Sequence, residues 1–169
     1  HKFLSGMFEG RYKAKKENND YIIADYLDFD LVFIKKGIFE QLTYPWFKPH
    51  VCKDKTEQQY IDIDICNRIK KQDVDLLIDK HIELNESNKT IIICCPGQSF
   101  TGKFLTSLTY LIRHLHSKGF KVLFSTTFSR NIYEVRNKCL MGDPSKGPKQ
   151  QVFNGEDYDY ILWLDDDII

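Results

Sequence analysis

The chain has 169 residues, enough for one domain with a core of its own. Its 24 Lys and Arg residues balance 24 Asp and Glu, so the formal net charge is zero and nothing marks it as a nucleic-acid or membrane-surface binder. No apolar run approaches the ~18 residues a membrane span needs, and no signal peptide is visible.

Residues 1–20 carry little pattern. Arg11 to Asp20 is polar and reads as a solvated turn. A basic nucleic-acid patch is the sharper reading, and the neutral overall charge argues against it. Tyr21–Tyr26 and Leu31–Ile34 read as two strands or one bent strand. Ile38–Leu42 is a short helical turn. Tyr44-Pro45-Trp46-Phe47-Lys48-Pro49 is barred from a helix interior, because each proline removes a donor and restrains the residue before it. This aromatic loop is either a lid over the core or a stacking wall for a sugar acceptor.

Ile61–Lys71 turns helical, with Ile61, Ile65 and Ile69 on one face. Asp62 and Asp64 fall in its first turn. There they either complement the helix dipole or offer a general base to a cleft. Val74–Ile78 is a short strand, and Asn85–Lys89 is the clearest linker.

Beyond the linker the pattern changes. Thr90–Cys95 is a buried strand, Pro96–Lys103 a loop, and Phe104–Lys118 an amphipathic helix with Leu105, Leu108, Leu111, Ile112 and Leu115 on one side. Gly119 suits the C′ position that ends it. Phe120–Ser125 is the next strand, Arg130–Leu140 a helix, and Gly142-Asp143-Pro144 and Gly147-Pro148 are turns. Tyr160–Leu164 is a strand buried on both faces. Residues 90–169 therefore spell strand–helix–strand–helix–strand. The predicted class is α/β, a parallel nucleotide-binding sheet with helices on both faces.

The five cysteines are Cys52, Cys66, Cys94, Cys95 and Cys139. Their odd number, the adjacent pair inside an apolar run and the lack of zinc-site spacing read as reduced thiols in a cytoplasmic protein.

Asp165-Asp166-Asp167 follows the last strand at once. Carboxylates at the carboxyl end of a buried strand sit where open α/β sheets bind ligands. Asp165 and Asp167 are two apart and project to one side in an extended backbone. As hard oxygen ligands they suit Mg²⁺ or Mn²⁺ carrying a diphosphate. An acidic loop after a strand is the plainer reading. Gly97 to Lys103 matches G-x-x-x-x-G-K between strand and helix, which suggests a P-loop-like NTPase. Phe104 stands where that loop needs a hydroxyl for Mg²⁺. A glycine loop without a ligand is the third reading of this stretch.

Three stretches together resemble the nucleotide half of a GT-A-fold, family-2-like glycosyltransferase: Cys95–Leu105, Arg136-Asn137-Lys138-Cys139-Leu140, and Tyr158–Ile168. The resemblance implies a Rossmann-like sheet. It implies a DXD motif at Asp165–Asp167 that holds a divalent metal on a nucleotide-sugar diphosphate. It puts Pro96, Gly97 and Ser99 near the base and ribose, and Arg136 and Asn137 near the diphosphate. Residues 1–84 resemble the acceptor half of the same fold, through Tyr26–Asp30, Ile34–Phe47 and the helix start at Ile61–Cys66. There the family's catalytic base falls on Asp62, with Asp64 as the fallback, which implies transfer with inversion.

The two halves run in permuted order, acceptor side first. This implies either a circular permutant or a piece spanning two tandem copies, folded as one domain. The expected partners are a nucleotide-sugar donor and a glycan or other hydroxyl acceptor, with neither nucleic acid nor a membrane span. A second copy could complete the sheet. A non-catalytic binding module of the same fold is the remaining alternative.

Overall fold

The computed structural model describes the backbone of residues 2–6, 12–17, 21–27, 31–48, 61–72, 74–79 and 88–165, and the side chains of 32–48, 64–72 and 88–165. The fold is mixed α/β with two four-stranded mixed sheets. The first holds β1 (Lys2–Gly6), β2 (Tyr12–Glu17), β3 (Tyr21–Leu27) and β5 (Val74–Asp79), in the order β1-β5-β3-β2. The second holds β4 (Leu31–Lys35), β6 (Thr90–Pro96), β7 (Lys121–Thr127) and β8 (Tyr160–Leu164), in the order β4-β8-β6-β7. Strands β6, β7 and β8 are parallel, and β4 closes one edge antiparallel to β8.

Period-two alternation builds the second sheet's two faces. Val32, Ile34, Ile92, Cys94, Ile161 and Trp163 point to one side. Phe33, Ile91, Ile93, Cys95, Leu162 and Leu164 point to the other. Both sides are buried, which is why β6 and β8 read as unbroken apolar runs. Helix α2 (Gly102–Ser117) covers the second face through Phe104, Leu108 and Leu115. Helix α3 (Ile132–Cys139) covers the first through Cys139, joined by Leu140. The chain therefore leaves β6 over one face to reach β7, then returns over the other face to reach β8.

Helix α1 (Ile61–Lys70) packs beside β3 and β5 and sends Ile65, Cys66 and Ile69 into the same core cluster as α3. Trp46 and Phe47 of the aromatic loop lie in that cluster too, 1% and 0% exposed. One core thus draws on residues from both sides of 85–89, and β1 lies beside β4 where the sheets meet. Of the expected linker, only Asn88 and Lys89 are described. The Asn88 amide donates to the Gly119 carbonyl, and Asp159 ties the starts of β6 and β8 through Thr90.

Several sequence expectations shift. The stretch from Arg11 to Asp20, read as a turn, contains β2. Leu31–Lys35 is not a continuation of β3 but a strand of the other sheet. Helix α2 begins at Gly102 rather than Phe104, because Thr101 caps it: its Oγ1 accepts from the Phe104 amide at 3.1 Å. Phe104, not Leu105, is the first core residue of α2, and Leu105 is 48% exposed. Gly119 does end α2, in the left-handed region, and Phe120 folds back onto Leu115 as that cap requires. Helix α3 ends the same way, but the left-handed residue is Met141 (φ 61°). Gly142 follows where a Cβ would meet the Tyr44 ring at 2.5 Å.

Candidate nucleotide-binding crevice

Strands β6, β7 and β8 end on the same side of the sheet, and their carboxyl ends open into one cavity of about 370 Å³. Pro96, Gly97, Gln98 and Ser99 line it after β6, Phe128, Ser129 and Arg130 after β7, and Asp165 after β8; Ile132 and Val135 of α3 complete the wall. Local chemistry sets this shape. The Gly97 amide donates to the Thr127 carbonyl at 3.1 Å and holds the β6 and β7 ends together. The Thr101 cap turns the chain into α2 and leaves Gln98 and Ser99 exposed. Ser129 Oγ donates to Glu134 at 2.6 Å, fixing the turn that enters α3.

Asp165 is the charged floor of the crevice. It lies two residues past Trp163 and faces the same side, so the Trp163 indole Nε1–H donates to Asp165 Oδ1 at 3.0 Å. Arg136 Nη2 donates to Oδ2 at 3.1 Å. The Arg136 side chain is 5% exposed and that of Asp165 15%. The guanidinium carbon lies 5.6 Å from the Phe47 ring centre and 5.9 Å from that of Trp163. A buried cation is tolerable only when its charge is met, and here a carboxylate and two aromatic faces meet it.

The residues expected at the site fall into three groups. Pro96, Gly97, Ser99 and Asp165 share the crevice, with Arg136 bonded to Asp165 behind it. Asn137 is buried and clasps the aromatic loop instead. Its Nδ2 donates to the Phe47 and Tyr133 carbonyls at 2.8 Å each, and its Oδ1 accepts from the Phe47 amide at 3.1 Å. Asp64 does not line the crevice. It faces Arg68 at 3.7 Å, one helical turn on, and Arg68 in turn donates to the carbonyls of Thr43, Pro45 and Trp46. The side chain of Asp62 and the whole of Asp167 lie outside the described residues.

Within the aromatic loop, Trp46 and Phe47 serve the core. Tyr44, packed against that core, and Pro45 border a second hollow of about 230 Å³ together with Phe47, Tyr133 and Pro144. The crevice residues after β7, Phe128 to Arg130, carried no motif. The signal that could have found them is topological, since loops after neighbouring parallel strands lie side by side.

A divalent cation fits Asp165 in kind. The carboxylate lines the cavity, and carboxylate oxygens are the hard ligands such a cation takes. No group of three metal-ligating side chains occurs among the described residues, which exclude Asp166 and Asp167.

Burial holds the Cys94 thiol well above its ordinary range and pushes Cys139 up to about 12. Among the described residues no helix is long and apolar enough to cross a membrane.

No protein-family model, no curated protein and no solved structure matches the chain.

Proposed function

We propose that the chain binds a nucleoside diphosphate in this crevice and acts as a metal-dependent glycosyltransferase, moving a sugar from a nucleotide-sugar donor to an acceptor hydroxyl. The observation that carries the reading is the meeting of Pro96–Ser99 and Asp165 in one cavity at the carboxyl ends of β6, β7 and β8. The connection from β6 leaves over one face of the sheet through α2 and that from β7 over the other through α3, and ligands of open α/β sheets bind in the crevice where connections so diverge. The sheet then corresponds to the Rossmann-like sheet of a GT-A fold, with β4 as its antiparallel edge.

Asp165 and Asp167 would hold Mg²⁺ or Mn²⁺, which when bound supplies Lewis-acid stabilisation of the leaving diphosphate. Arg136 fixes the Asp165 carboxylate from behind and offsets its charge. Pro96, Gly97 and Ser99 shape the wall around the nucleoside. Asp62 is the proposed base that takes the acceptor proton, since Asp64 is turned toward Arg68.

The P-loop reading is disfavoured by where the loop's groups go. The Phe104 amide is bonded to Thr101, the Gly97 amide to Thr127, and the Phe104 ring stacks on Phe100 at 5.2 Å inside the core.

The test is release of nucleoside diphosphate from a panel of nucleotide sugars with Mn²⁺ and simple glycoside acceptors. Activity lost in Asp165→Asn and in Asp62→Asn supports both assignments. Activity kept in Asp62→Asn but lost in Asp165→Asn removes the base and leaves the class. Turnover of ATP alone, abolished by Lys103→Ala, overturns the transferase.

A further inference from the structure

The crevice has an apolar rim that the diphosphate reading does not use. Phe128 is 49% exposed and Ile132 44% exposed, and both line the cavity. A large apolar side chain left half in water at a cavity mouth loses the burial that would normally stabilise it. The two residues bracket the turn from β7 into α3, so they share one rim. Pro96 to Ser99 line the same cavity. Arg130 lies between them in sequence and also lines the cavity. The lining thus joins a flat aromatic surface to positive charge, with Asp165 already offset by Arg136. That combination fits a ligand planar and apolar at one end and anionic at the other.

We propose that Phe128, backed by Ile132, is the platform on which the nucleotide's base stacks, and that Arg130 takes part of the phosphate charge. This rests on the nucleotide reading above and adds a specificity-determining surface to it. Every nucleobase presents a π-face, so stacking gives affinity that depends on the base being present. Arg suits phosphate because its planar donors match the oxygen geometry.

The test is calorimetric titration of the full chain with UDP, GDP, CDP, ADP and pyrophosphate, each with Mn²⁺. The half-exposed Phe128 can be truncated with little damage to the core. Phe128→Ala is expected to weaken the preferred nucleoside diphosphate about tenfold or more, while pyrophosphate binding stays within about twofold. Arg130→Met is expected to weaken both by similar factors. Phe128→Trp should keep nucleotide binding and show fluorescence quenching by the nucleotide but not by pyrophosphate.

Unchanged nucleotide affinity in Phe128→Ala overturns the platform and leaves the nucleotide site standing. Equal losses of nucleotide and pyrophosphate in Phe128→Ala do the same, because the loss would then not depend on the base. Failure of the unaltered chain to bind any of these nucleotides overturns both readings.

Discussion

The Arg136–Asp165 pair allows a stability prediction that needs no ligand. Removing one member of a buried ion pair costs about 3–5 kcal/mol, because the other charge is left in low dielectric. The two members differ in how well water can rescue them. Asp165 opens on the crevice and keeps the Trp163 N–H, so Arg136→Met should cost about 2 kcal/mol. Arg136 is 5% exposed with its charge held between two rings, so Asp165→Asn, which keeps the shape and removes only the charge, should cost about 3–4 kcal/mol. For a chain of this length these are drops in Tm of roughly 5 and 10 °C. The double variant has no buried charge left to strand. It should be no worse than Asp165→Asn alone, a coupling of about 2–3 kcal/mol. Urea unfolding followed by tryptophan fluorescence reads all four proteins. Single losses that add within about 0.5 kcal/mol would refute the account of the pair.

Four further outcomes follow from the same packing. Gly142→Ala should destabilise by about 2–3 kcal/mol, since its Cβ would fall 2.5 Å from the Tyr44 ring and 2.9 Å from the Asn137 carbonyl oxygen. Met141→Gly should stabilise by about 1 kcal/mol, because Met141 holds a left-handed φ; thermal melts that reverse either sign would refute the reading of the α3 cap. Stability should fall at alkaline pH, because Cys94, Cys139 and Tyr158 all have raised pKa values, chiefly through burial. The folded state keeps protons that the unfolded chain gives up from about pH 8.5 upward, so the stabilisation is complete below that pH and lost above it. Cys139 alone accounts for about 2–3 kcal/mol by pH 10.5; equal urea midpoints at pH 8 and 10.5 would contradict this. Finally, iodoacetamide at pH 8 should leave Cys66, Cys94, Cys95 and Cys139 unmodified in the folded chain and label all four in denaturant, with peptide mass spectrometry as the readout.

What could be read from the sequence was what local pattern controls. The runs at Thr90–Cys95 and Tyr160–Leu164 are strands because nothing but a two-sided core explains so many adjacent apolar residues. Gly119 closes α2 because only a left-handed residue lets Phe120 return to Leu115. Strand β2 reads as a turn for a physical reason. It is an edge strand, and its sequence Tyr12-Lys13-Ala14-Lys15-Lys16-Glu17 has the lysine content that keeps edges from pairing with other chains, which looks like a loop when read alone.

In the candidate site, the β6 loop and Asp165 were legible because both follow apolar strands directly. The Trp163–Asp165 contact follows from their two-residue spacing on an extended strand. The role of Asn137 was not legible. Its partner is the backbone of Phe47, 90 positions away, and no local signal marks such a clasp. Phe128 was equally silent, since an exposed aromatic in a loop acquires meaning only beside a cavity.

The most direct test of the nucleotide site is a thermal-shift titration of the full chain with UDP, GDP, CDP, ADP and ATP, each with Mn²⁺, with Mg²⁺ and with chelator. Ligand at about 100 times its dissociation constant adds about 2.7 kcal/mol, a rise of roughly 5–10 °C at this length. The account predicts that rise for a nucleoside diphosphate only when a divalent cation is present, and its loss in Asp165→Asn measured against that variant's own baseline. No shift with any nucleotide, or a shift with ATP and Mg²⁺ alone that Asp165→Asn leaves intact, would contradict it.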